Sequence, residues 1–212
     1  VTYPPEPWDL RGQLHLSVWA VPRAALPDLP VAPVARPLLL GGRALVGAAF
    51  VRYEPGGVLQ YRELLAAVLV RQRLRPRVSI MDIWVDSVAS RDGGRELWGI
   101  PKDLADLAVD DGPFRATVDG AVVAEARFTR GARLPGRWPT PMAVSQRLGG
   151  GVVTTKVRGR AALRLGRARW EIAPGGPVRY LAGRRPWLTL TIADFRMRFG
   201  GRRADEPVDR CG

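Results

Sequence analysis

The chain is short of the residues that most often do chemistry. Among 212 residues there is one cysteine, Cys211, and one histidine, His15. A single cysteine cannot close an internal disulfide, and a lone histidine with no ligand nearby cannot build a metal site, so neither a metal nor another cofactor is expected. A lone histidine in a strand-like stretch reads as structural. No apolar run reaches the roughly 18 residues that a membrane helix needs, so no membrane partner is expected. The opening Val1-Thr2-Tyr3-Pro4-Pro5 has no basic stretch followed by an apolar core, unlike a secretory leader. A cytoplasmic location is the default expectation. Lysine is the other scarce residue: of 33 Lys plus Arg, only Lys102 and Lys156 are lysines.

The formal charge of +13 and pI near 11.3 raise the question of a nucleic-acid partner. The arginines are spread along the chain, however, with no block of like charge, no helix-turn-helix pattern, no paired Cys/His and no RNP-like aromatic run. The bias of arginine over lysine also fits GC-rich coding. No nucleic-acid partner is therefore expected, and a milder use of the charge is to draw carboxylates toward a pocket.

Hydrophobic content of 46% supports a sizeable core. With no repeat and no linker, one domain spanning 1–212 is expected, with an N-terminal arm at 1–12 and a flexible tail at 202–212. Strands are read at 13–21, 43–53, 77–88 and 187–199, from alternation and β-branched content. Three more are read within 152–173. Phe114–Val118 and Ala121–Thr129 form the clearest hairpin, because Asp119-Gly120 suits a two-residue primed turn. Residues 58–70 (VLQYRELLAAVLV) fit either helix or strand. Asp92-Gly93-Gly94 reads as a turn, and residues 103–107 as a short helical turn. Lys156 falls at a solvent-facing strand position.

Lys102 follows Gly94-Arg95-Glu96-Leu97-Trp98-Gly99-Ile100-Pro101. Arginine keeps its charge and cannot act as a nucleophile, whereas a buried lysine can lose its proton and attack a carbonyl. Pro101 keeps the residue before it extended, so Lys102 does not lie deep in a helix.

The segment Gly-Arg-Glu-Leu-x-x-x-Pro-Lys resembles the active-site motif of the acetoacetate decarboxylase family. In that family the lysine forms a Schiff base with a keto acid. Tyr61-Arg62-Glu63, with Glu63 39 residues before Lys102, is similar to a Tyr-x-Glu of the family, and Ile83-Trp84-Val85-Asp86 to its approach strand. The resemblance implies a mainly β fold, a β-barrel of mostly antiparallel strands with few short helices, and strands at 58–70. It implies Lys102 and Glu63 as catalytic residues, the second giving and taking protons. Trp84, Trp98, Ile100, Tyr61 and Glu96 are candidate pocket residues, with Arg95 and Glu96 also expected to hold the turn before Lys102.

There are departures. Asp103 stands where the decarboxylases carry a second lysine, so burial alone is expected to lower the Lys102 pKa. The family's arginine near the first strand has Arg11 as its nearest counterpart. The implied function is a Schiff-base lyase on a small keto acid, decarboxylase-like, in a homo-oligomer. An aldolase or dehydratase on an α-keto acid is one alternative, and a non-catalytic ligand- or nucleic-acid-binding protein is another.

Overall fold

The computed structural model describes residues 2–110 and 112–201; the expected tail at 202–212 lies outside them. The strands are β1 (Trp8–Pro22), β2 (Ala35–Pro37), β3 (Leu39–Leu40), β4 (Arg43–Tyr53), β5 (Tyr61–Gln72) and β6 (Arg75–Val85). Helix α1 (Val88–Trp98) follows, then β7 (Lys102–Leu104), β8 (Asp106–Ala108), β9 (Phe114–Val118), β10 (Ala121–Arg133), β11 (Trp138–Pro139), β12 (Met142–Leu148), β13 (Gly151–Ile172) and β14 (Leu188–Phe199). Two short 3₁₀ turns, Arg23–Ala25 and Arg179–Leu181, complete the described elements. No helix among the described residues is long and apolar enough to cross a membrane.

All strands join one sheet in the order β12-β6-β5-β4-β1-β14-β13-β10-β9-β8. Its two faces carry separate apolar clusters. Trp19, Phe50, Leu64, Val68 and Trp84 pack on one. Val51, Tyr53, Tyr61, Val85, Trp98, Ile100 and Phe195 pack on the other. Burial on both faces decides residues 61–72. Leu64, Ala66, Val68 and Val70 enter the first cluster while Tyr61 and Ala67 enter the second, so tertiary packing overrides the helical propensity of Leu and Ala. The Asp119-Gly120 hairpin forms as expected, with φ of 48° and 79°.

The expected β-barrel is corrected: the sheet does not close as a continuous barrel. β7 pairs in parallel with β6 over Ile83–Val85. β12 meets β6 at a single parallel bridge, Val144↔Val78, before running alongside β13. Between these contacts a side chain replaces the ladder. The buried Gln146 amide accepts from Ser79 Oγ and Ile80 N, both at 3.1 Å, and donates to Ile80 O at 3.0 Å. Beyond β13 the sheet runs on to β10, β9 and β8.

Three further local readings are corrected. The three strands read within 152–173 are one 22-residue strand, β13, which absorbs a register shift between Arg160 and Ala162. Residues 103–107 are extended, in β7 and β8. Asp92-Gly93-Gly94 is the middle of α1. Ser87 caps that helix by accepting from Ser90 N at 3.2 Å, and Gly99 ends it at φ 65°. The two glycines cost roughly 1 kcal/mol each in helix propensity but permit close approach. A Cβ on Gly93 would stand 2.6 Å from the Trp8 ring, and one on Gly94 2.8 Å from Lys102 Cδ. Trp8 accordingly begins β1 and packs edge-on against Trp98 at 4.8 Å.

His15 is buried between Phe114 and Phe128, with Nδ1 3.0 Å from Thr191 Oγ1. Burial first, then the charges of Arg130 and Arg52, lower its pKa from 6.5 to about 4. The unfolded chain binds a proton there that the folded chain refuses, so this contribution is complete above about pH 6.5 and is lost as pH falls to about 4. It amounts to about 3 kcal/mol. Urea unfolding of the wild type and His15→Gln at several pH values in this window checks this: the loss on acidification should be smaller in the variant by roughly that amount.

Candidate active site

The break in the sheet positions the site. β7 places Lys102 opposite Ile83 on the edge of β6, and Asp103 opposite Trp84. Neighbours in an extended segment point to opposite faces, so the lysine turns inward and the aspartate outward. The Lys102 side chain is 5% exposed and that of Asp103 66%. Asp103 pairs with Arg95, whose Nε also donates to Lys102 O at 2.5 Å. α1 thus ties down the backbone of β7 from outside, while Gly94 lets the aliphatic stem of Lys102 lie against the helix.

Lys102 Nζ has three partners. It donates to Ser90 Oγ at 2.9 Å, Glu63 Oε2 at 3.0 Å and Tyr61 Oη at 3.2 Å. The other carboxylate oxygen of Glu63 accepts from Tyr53 Oη at 3.2 Å. Tyr53 and Tyr61 face each other across β4 and β5 and stack at 4.2 Å. All five side chains are buried.

Electrostatics here differ from the sequence-based expectation. Burial does push the Lys102 pKa down, but the Glu63 carboxylate and then Tyr61 push it up further, and the net direction is above the ordinary lysine value. Lys102 therefore rests as an ammonium paired with a carboxylate. Tyr53 and Tyr61 are both held above the usual phenol value, by burial first, so both remain neutral hydroxyls.

An open cleft of about 680 Å³ reaches Tyr53 and Tyr61 from the surface, lined also by Arg11, Arg52, Glu54, Arg62 and Asp86. Two of its arginines are neutralised. Arg52 pairs with Glu54 at 2.9 Å and Asp110 at 3.3 Å, and Arg62 with Asp110 at 2.5 Å and Asp86 at 3.3 Å. Arg11 makes no ion pair with any described acid.

Of the candidate residues, Lys102, Glu63 and Tyr61 come together. Ile100 is buried beside them, and its carbonyl accepts from Lys102 N at 2.8 Å. Three lie elsewhere. Trp84 belongs to the cluster on the other sheet face, because side chains alternate along β6. Trp98 points toward Trp8, Phe199 and Glu6, as part of the packing beneath α1. Glu96 is exposed on the outer side of the helix and accepts from Tyr3 Oη at 2.7 Å. Ser90 and Tyr53 were not anticipated. Tyr53 was legible as the cross-strand partner of Tyr61 had the hairpin register been drawn; Ser90 was hidden by the missed helix. Among the described residues, no group of three His, Cys, Asp or Glu could hold a metal ion.

A family model described as acetoacetate decarboxylase (ADC) matches residues 15–158. No curated protein gives a significant sequence match. Among solved structures, the enduracididine biosynthesis enzyme MppR complexed with pyruvate is similar, at 18% identity and a TM-score of 0.69. That match covers 94% of this chain and 90% of MppR. Acetoacetate decarboxylase from Legionella pneumophila is also 18% identical, with a TM-score of 0.68 over 94% of this chain and 87% of the other. An acetoacetate decarboxylase-like enzyme from Sphingomonas wittichii RW1 is 14% identical, with a TM-score of 0.61 over 92% and 91%. At these identities the likeness is one of fold.

The Lys102–Glu63 pair also bears on stability. Removing one member of a buried pair strands the other, at a cost of about 3–5 kcal/mol, whereas removing both is far milder. Glu63→Leu should therefore lose roughly that much in chemical denaturation, and Glu63→Leu/Lys102→Met should regain most of it.

Proposed function

The chain belongs to the acetoacetate decarboxylase family, and on that footing we propose that it is an enzyme in which Lys102 forms a Schiff base with a small keto acid. The observation that carries this reading is the buried Lys102 amine, held 3.0 Å from the Glu63 carboxylate and hydrogen-bonded to Tyr61, which lines the cleft that also contains Arg11.

The ammonium passes a proton to Glu63, and the freed amine attacks the ketone carbon. The ketone oxygen leaves as water with two of the three protons the ammonium carried; the third stays on the iminium nitrogen. Ammonium plus ketone thus gives iminium plus water, with no external acid or base. The burial of Lys102, Glu63 and the neighbouring tyrosine hydroxyls favours this internal transfer. The iminium then accepts an electron pair, either from a β-carboxylate departing as CO₂ or from an α-carbon whose proton Glu63 removes. Either way an enamine forms; its carbon takes a proton, delivered from water through the Glu63 carboxyl, which restores the iminium, and water then adds to the iminium carbon and releases the carbonyl product and the Lys102 amine.

Arg11 recognises the substrate carboxylate in this reading. Arg52 and Arg62 already hold Glu54, Asp86 and Asp110, so an incoming anion meets least competition at Arg11. Asp103 does not interfere, because it faces solvent and is paired with Arg95.

The leading outcome is decarboxylation of a β-keto acid. Aldol or dehydration chemistry on an α-keto acid is the second, supported by the position of Glu63 as a base beside the iminium and by the fold shared with the pyruvate-bound MppR.

Incubation with acetoacetate or pyruvate, reduction with cyanoborohydride and intact-mass measurement test the reading. An adduct that disappears in Lys102→Ala is expected. Release of CO₂ from acetoacetate, against deuterium exchange at the pyruvate methyl, separates the two outcomes. No adduct with either acid would overturn the proposal.

A further inference from the structure

Ser90 is the shortest contact of the Lys102 amine, at 2.9 Å, and is fully buried. It stands four residues before Gly94 on α1, and positions i and i+4 share a helix face. One face of α1 therefore meets the lysine twice, with Gly94 against the stem and the Ser90 hydroxyl against the nitrogen.

An ammonium has three N–H donors, and here there are three acceptors: Ser90, Glu63 and Tyr61. At rest every N–H is engaged and the Cε bond fills the fourth direction. Glu63 is the only anion among the three, so it receives the proton when the amine is freed. Two N–H bonds remain, with two neutral hydroxyls to hold them. The lone pair then points where the third N–H had been, toward Glu63.

Resting on the Schiff-base reading above, we infer that Ser90 is a positioning residue: with Tyr61 it fixes the two remaining N–H bonds of neutral Lys102 and thereby holds the lone pair on the Glu63 side, so that the carbonyl is attacked next to the acid that protonates its oxygen. Ser90 contributes through the rate of attack and not through binding of the keto acid, which is held at the cleft.

The test is the rate of adduct formation as a function of pyruvate concentration, read by cyanoborohydride trapping and intact mass. Ser90→Ala keeps a good helix former, and Ser90→Cys keeps the size with a poor acceptor. In both, the maximal rate should fall about tenfold or more, with a half-saturating concentration within about twofold of wild type. Ser90→Thr, which keeps the hydroxyl, should restore the rate. An unchanged maximal rate in the Ala and Cys variants, or a loss seen only in the half-saturating concentration, overturns the inference. If Thr is as slow as Ala although all variants fold, the hydroxyl is not the cause and the inference also fails. Absence of any adduct in the wild type instead removes the Schiff-base reading itself, and this inference with it.

Discussion

The buried contact between Lys102 and Glu63 is the constraint around which the site is built. Two opposite charges out of water are tolerable only when each is paired and its remaining hydrogen-bonding capacity is met. The surroundings satisfy both demands. Ser90 and Tyr61 take the other two protons of the ammonium, and Tyr53 donates to the second carboxylate oxygen. These groups come from β4, β5, β7 and α1, so the fold has to bring four separated elements to one point. The interruption of the sheet along β6 makes room for this, because β7 occupies the edge that β12 would otherwise extend.

In the proposed mechanism the pairing changes how the lysine is activated. Burial alone would favour a neutral amine, ready to react but with no nearby proton for the departing oxygen. The ammonium–carboxylate pair keeps those protons in place, and transfer from nitrogen to carboxylate leaves the charge of the pair at zero. Asp103, which looked like a problem beside Lys102, serves instead as the outer anchor of Arg95 and so holds the backbone of β7.

The residues that the structure brings together were more legible than the architecture. Two lysines against 31 arginines singled out Lys102, and the Tyr-x-Glu spacing pointed to Glu63; the contact between them, 39 residues apart in the chain, could only come from the β5–β6–β7 pairing. Helix α1 was hidden because Gly93 and Gly94 imitate a turn. Their small size answers to Trp8 and Lys102, which are distant in sequence or on another element, so local propensity misled. Ser87 and Gly99 cap the two ends of this helix, but Ser87 falls inside the strand read at 77–88. The gap in the sheet was illegible because it depends on Gln146 using its side chain where a backbone would have served. Trp84 and Trp98 were pocket candidates from their place in the motif and its approach strand, but they pack on the other sheet face and against Trp8 and Phe199, respectively; which face a tryptophan takes depends on register.

If the proton shifts within the Lys102–Glu63 pair, reaching the reactive state releases no proton to solvent. The most direct measurement is the pH dependence of keto-acid adduct formation over roughly pH 6 to 9, in wild type and in Glu63→Gln. A nearly flat profile is expected in the wild type. In Glu63→Gln the rate should rise with pH, because the ammonium must then give its proton to solvent. A wild-type rate that changes steeply with pH across this range, with the same shape in Glu63→Gln, would contradict it.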